Sequence, residues 1–106
     1  MLGCLQLLHF HIGSQITETS PFVEALHKVL DFVDTLNQSG IMLHHIDIGG
    51  GLGIAYEKED SPIPVDDYAK AVLEKLAHRS EQLILEPGRW LVGPIGVLLT
   101  RIEYLK

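Results

Sequence analysis

Four glycines in five positions, Gly49, Gly50, Gly51 and Gly53, follow directly on Ile46-Asp47-Ile48. Glycine loses more backbone entropy on folding than any other residue, so such a cluster needs a compensating contact. The usual one is a loop whose bare backbone comes close to something else. Successive glycine N–H groups can converge into a concave nest that suits a phosphate. The same run also makes a tight strand-to-loop turn with no ligand at all. Two further stretches, His11-Ile12-Gly13-Ser14-Gln15 and Glu86-Pro87-Gly88-Arg89, likewise place polar groups just where apolar runs stop.

The periodicities between these stretches are those of alternating strands and helices. Leu5 to Ile12 is short and apolar and stops at Gly13, as a buried strand does, with Leu5, Leu7, His9 and His11 on one face and Leu8, Phe10 and Ile12 on the other. Ser20 as N-cap and Pro21 as first helical residue open a helix with a stripe of Phe22, Leu26, Val29, Leu30, Val33 and Leu36, and Gly40 closes it. Ile41 to Ile48 reads as a second strand. A second helix begins at Val65 or Asp66, with Tyr68, Ala69, Val72, Leu73, Leu76 and Ala77 as its stripe and His78-Arg79 at the negative end of its dipole. Gln82 to Leu85 reads as a third strand, and the β-rich segment Val92 to Tyr104 as a last, extended one. Buried strands joined by crossover helices predict an α/β fold with a parallel sheet, all three special loops lying at its C-terminal edge.

Three strands do not close a structure. A full (β/α)8 TIM-type barrel takes about 250 residues, and the outer strands would expose unpaired edges. At 106 residues, the chain is therefore expected to be the central portion of a larger barrel rather than a small open sheet.

Composition removes several classes of function. The net charge of −6 leaves no basic stripe for nucleic acid. No apolar run approaches the length of a membrane helix, and Met1–Leu8 lacks the basic start and cleavage site of a signal peptide. Cys4 is the only cysteine, which excludes an internal disulfide and a Cys-based zinc site; it is expected to be a small buried residue, in a protein of the reducing cytoplasm.

Glu86 and Arg89 flank a rigid turn, and they make either a surface ion pair or a site in which Glu86 meets a cationic group and Arg89 an anion. His11 is either a satisfied core histidine or a ring at a site; His9 and His11 together make a His-x-His metal pair, with His44, His45 and Asp47 as further candidates, as in metal-dependent hydrolases. Ser14 is a turn former or a hydroxyl donor to phosphate.

Taken together, His9-Phe-His-Ile-Gly-Ser-Gln15, Asp47-Ile-Gly-Gly-Gly-Leu-Gly-Ile54 with Tyr56, and Glu86-Pro-Gly-Arg-Trp-Leu-Val92 resemble the ornithine/diaminopimelate/arginine decarboxylase family, pyridoxal-phosphate enzymes built on an alanine-racemase-like barrel. The resemblance runs from Leu5 to Lys106, and Gln15 leans toward its diaminopimelate branch. It implies decarboxylation of meso-diaminopimelate to L-lysine and CO2 in lysine biosynthesis. It further implies that His11 stacks on the cofactor ring and that Ser14 and the backbones of Gly50, Gly51 and Gly88, beside Pro87, hold its phosphate. Glu86 would face the pyridine nitrogen, and Arg89 would bind near the phosphate and a substrate carboxylate. A protonated pyridine ring delocalises the electron pair that decarboxylation leaves on Cα.

Departures from the family pattern are equally informative. Its cofactor-binding lysine lies well upstream of the His-Ile-Gly-Ser motif, where only eight residues precede His9 here and none is lysine; Lys28, Lys58, Lys70, Lys75 and Lys106 fit no such position. The Cys-Glu-Ser segment that a partner subunit supplies from its β-domain is also missing. The resemblance thus implies a fragment, inactive alone, whose last strand leads toward a β-domain and whose full-length form is a homodimer with a small amino-acid substrate. A catalytically dead relative kept for protein contacts is the alternative from the binding class.

Overall fold

The structure, a computed structural model, describes residues 6–105; the expectations for Cys4, Leu5 and Lys106 lie outside them. Three strands, β1 (Leu7–His9), β2 (His45–Asp47) and β3 (Gln82–Ile84), form one parallel sheet in the order β1-β2-β3. The register places His9, Asp47 and Ile84 side by side across it. Helix α1 (Ser20–Gln38) crosses from β1 to β2 and α2 (Val65–Leu76) from β2 to β3, giving two consecutive βαβ units. The predicted α/β class and parallel pairing are both observed.

Only the central strand is buried. Ile46 and Ile48 face the helices and are almost inaccessible, packed with Phe22, Leu26, Leu30 and Val33 of α1 and Tyr68 and Val72 of α2. Phe22 meets Tyr68 edge-on at 4.9 Å between ring centroids, an arrangement that adds to area burial. The outer strands are half-exposed and shorter than their apolar runs, because each has hydrogen-bonding neighbours on one side only.

The α1 stripe is as the spacing predicted, but the helix starts one residue early. Val23 N–H donates to Thr19 C=O at 3.1 Å, so Thr19 rather than Ser20 is the N-cap, without a side-chain cap. Gly40, with φ +85°, is the C′ residue of a Schellman motif: its N–H bonds Asn37 C=O and that of Ile41 bonds Leu36 C=O. In α2 the stripe is narrower than expected. Leu73 is 58 % exposed, Ala77 lies past the helix end, and Arg79 engages carboxylates instead of the helix dipole.

The C-terminal stretch differs most from expectation. Gly88–Val92 is a short helix, α3, followed by a 3-10 turn at Gly93–Ile95. Residues 96–105 carry no secondary structure and are exposed throughout. β-branched composition favours a strand only where a neighbouring strand completes its hydrogen bonds, and this segment has none among the described residues. The radius of gyration, 17.8 Å, exceeds the about 13 Å of a compact chain of this length, and residues 96–105 form an exposed ribbon.

Candidate functional site

Strand alternation sets the chemistry of the C-terminal rim. In β1 and its continuation, Leu8, Phe10 and Ile12 pack against the core while His9 and His11 point to the open face. In β2, Ile46 and Ile48 face the helices, leaving Asp47 on the side of His9. Glu86 follows β3 at the same level. The result is an open shelf on which the three loops meet.

The glycines explain how they meet. A Cβ on Gly49 would lie 2.7 Å from the Phe10 carbonyl oxygen and 2.8 Å from His11 Nδ1. On Gly50 it would collide with the Glu86 carbonyl and on Gly51 with the Gly13 carbonyl, where φ of +101° also disfavours any side chain. On Gly53 it would lie 2.9 Å from the Ile16 carbonyl oxygen. The close approach that the glycine cluster demands is thus made by neighbouring loops. Ile16 N–H donates to Gly51 C=O at 2.8 Å and Gly53 N–H to Ile16 C=O at 2.9 Å, while Glu86 N–H reaches Gly49 C=O at 2.8 Å.

His11 Nδ1 accepts the Gly50 N–H at 3.3 Å, which places the ring proton on Nε2. Asp47, 7 % exposed, accepts the Gly49 N–H at 2.9 Å and so fixes the start of the loop. The N–H of Gly88 turns back onto the Glu86 carbonyl at 2.8 Å. Gly50 and Gly88 therefore spend their N–H groups inside the protein. No hydrogen bond from the Gly51 N–H is found among the described residues. A Cβ on Gly88 would meet nothing within 4 Å. Ser14 is exposed on the first loop, and Pro87 is the N-cap of α3.

Glu86 and Arg89 do not pair with each other among the described contacts. Glu86 Oε2 lies 3.2 Å from His9 Nε2, whereas Arg89 Nη1 donates to Gln15 Oε1 at 3.2 Å and its guanidinium lies 5.9 Å from the Tyr56 ring centroid. His9 and His11 engage different partners, Glu86 and the Gly50 N–H. The metal-ligating types that do gather are His9, Asp47 and Glu86, with one ligand atom of each within 4.8 Å of the others.

Gln15 is the residue that sequence reasoning undervalued. Its Oε1 accepts the Ile54 N–H at 3.2 Å and its Nε2 donates to the Ile54 C=O at 2.6 Å. It holds φ of +56°, a conformation costing a non-glycine residue roughly 1–2 kcal/mol. One amide thus ties the first loop to the second and to α3. A long amide just after Gly13-Ser14 was the available signal.

A hollow of about 610 Å³ lies elsewhere, between Thr17–Ser20 and Ser61–Glu74; the three motifs do not meet there. Behind the shelf, Gly49, Gly50 and Pro87 back onto an apolar cavity of about 240 Å³ lined by Tyr68, Leu83 and Trp90. No helix among the described residues is long and apolar enough to cross a membrane.

An α/β sheet with an imidazole, a carboxylate, a guanidinium and a glycine-built loop junction along one rim belongs to the class of small-molecule sites formed at the C-terminal ends of parallel strands. The chain belongs to a known family of that class: residues 3–93 match the pyridoxal-dependent decarboxylases, pyridoxal binding domain. It is 53 % identical over 96 residues to a diaminopimelate decarboxylase of Pseudomonas fluorescens, covering 91 % of this chain and 23 % of that protein. The crystal structure of diaminopimelate decarboxylase from Helicobacter pylori complexed with L-lysine superposes with a TM-score of 0.73 at 42 % identity, over 79 % of this chain and 21 % of that one. That of the M. jannaschii enzyme in co-complex with L-lysine gives 0.74 at 43 %, over 78 % and 20 %. The chain thus spans about a quarter of the length of the curated relatives it matches. These relatives lend no support to a metal-dependent hydrolase or to a catalytically dead homologue.

Proposed function

We propose that this chain is the central portion of a (β/α)8 barrel in an amino-acid decarboxylase that converts meso-diaminopimelate to L-lysine and CO2. The observation that carries the reading is the position of Gly50. Its N–H fixes the His11 ring, and its Cα packs on the backbone of Glu86, so a flat imidazole and a carboxylate share one shelf.

The donor set fits pyridoxal phosphate at both ends. At one end stand the spare guanidinium donors of Arg89, the Ser14 hydroxyl, the Gly51 N–H and the uncovered surface of Gly88 and Pro87, a set suited to a phosphate. At the other, Glu86 would hold the proton on the pyridine nitrogen, with His9 orienting its carboxylate from 3.2 Å, and His11 would cover one ring face. When bound, pyridoxal phosphate supplies the electron sink for the pair left as the Cα–carboxylate bond breaks. Arg89 is also placed to bind a substrate carboxylate. Relatives studied in crystals carry L-lysine, the product of this reaction. The substrate-carrying assembly is taken to be a homodimer, with the covalent lysine and an acidic partner segment contributed outside these residues.

The test is direct. The protein expressed from its own gene should release lysine and CO2 from meso-diaminopimelate when pyridoxal phosphate is supplied, and the isolated 106-residue chain should release none. Turnover of ornithine or arginine in place of diaminopimelate would redirect the substrate assignment, and lysine release by the isolated chain would overturn the fragment reading.

A further inference from the structure

Arg89 is exposed at the start of a five-residue helix, and an unsupported arginine in such a place samples many rotamers. Two contacts restrain it. Tyr56 lies against the guanidinium at 5.9 Å, and Gln15 Oε1 accepts from Nη1 at 3.2 Å. The Gln15 amide is itself locked, because both its ends are bonded to the backbone of Ile54, at 2.6 and 3.2 Å. The donor Nε2 faces a carbonyl and the acceptor Oε1 faces an N–H, so the amide cannot flip without losing both bonds. A side chain fixed in this way leaves its second oxygen lone pair directed at Arg89. Gln15 does so from a left-handed backbone conformation that glycine would adopt without strain, which points to a side-chain function at that position.

We infer that Gln15 is a positioning residue for Arg89, a latch that presets the guanidinium for an oxyanion. Nη1 is turned onto Gln15, and the remaining guanidinium N–H groups, which make no hydrogen bond among the described residues, are left for the oxyanion. The latch rests on the decarboxylase reading only for the identity of the oxyanion, which is either the cofactor phosphate or the substrate carboxylate. A preorganised guanidinium loses less freedom on binding than a mobile one, so the effect falls on affinity.

Two variants and two readouts test this in the protein expressed from its own gene. Gln15→Gly keeps the backbone conformation and removes the amide. Gln15→Asn also tolerates the left-handed region but is one methylene short of spanning Ile54 and Arg89. In the ligand-free protein, the Arg89 Nε–H resonance should be rigid on the nanosecond timescale in the parent and mobile in both variants. Pyridoxal phosphate affinity, read by absorbance titration, should fall by up to about tenfold, the cost of ordering one rotamer-rich side chain that the latch no longer holds. In an Arg89→Ala background the same Gln15 changes should cost no further affinity. If affinity for pyridoxal phosphate is retained and KM for the amino acid rises instead, the oxyanion is the substrate carboxylate. Unchanged Arg89 mobility in both variants, or additive losses with Arg89→Ala, overturns the latch. Failure of the parent itself to bind pyridoxal phosphate defeats the decarboxylase reading and leaves the latch to be judged on Arg89 mobility alone.

Discussion

At the scale of single residues, the glycines divide into two groups with different reasons for being glycine. Gly50 and Gly51 are required by neighbouring backbone, since any Cβ would strike the carbonyls of Glu86 and Gly13. Gly88 has open space where its Cβ would be. Gly50→Ala should therefore lower stability by about 1–3 kcal/mol, the usual cost of overpacking, visible as a lower urea midpoint. Gly88→Ala should leave that midpoint in place and weaken pyridoxal phosphate binding. Equal stability losses in the two variants would contradict the division. The sequence marks all these positions alike, because glycine content reports that backbone approaches something without saying what. Only the coordinates distinguish protein backbone from space left for a ligand.

Elements were legible where a local pattern suffices and obscure where a distant partner decides. The stripe from Phe22 to Leu36 and the terminating Gly40 are local, and α1 follows them. The segment from Val92 to Tyr104 has strand composition but no adjacent strand among the described residues, and it divides into part of a short helix, a 3-10 turn and a ribbon. Arg79 is a second case. It follows α2, yet its partners are Asp34 on α1, at 2.7 and 3.3 Å, and Glu81 just before β3, at 2.9 and 3.2 Å. The Glu81 side chain is only 4 % exposed. Burial alone would raise its pKa, but hydrogen bonds from Arg79 and from its own backbone outweigh this and hold it below the ordinary 4.5. Hydrogen bonding to Arg79 likewise lowers Asp34 from 3.8. Both native values are depressed, so the stabilisation is complete above the ordinary values and is lost as pH falls below them. Arg79→Met should cost about 3 kcal/mol at neutral pH, because it leaves the Glu81 carboxylate buried without its cationic partner. Denaturant titrations from pH 7 down to 3 should show a much shallower acid loss in the variant than in the parent.

At the scale of the whole molecule, the described residues form a sheet with two open edges and an apolar ribbon. Val97, Leu98 and Leu99 are each about nine-tenths exposed, and Ile102 and Tyr104 nearly as much; contiguous patches of this kind mark surfaces that normally meet a partner. Produced alone, the chain should self-associate with rising concentration in sedimentation velocity runs, and Leu99→Lys should reduce the association without altering the far-UV circular dichroism. Association unaffected by the substitution would place the sticky surface at the strand edges instead. That three parallel strands do not by themselves close a barrel was legible from strand count alone. The ribbon's exposure was not, because its β-rich composition reads as an extended strand.

That ribbon also bears on biosynthesis. A leucine-rich stretch without a cover is the kind of segment that holdase chaperones grip as a polypeptide leaves the ribosome, so the interval before it is sheltered is when this protein is most vulnerable to misassembly.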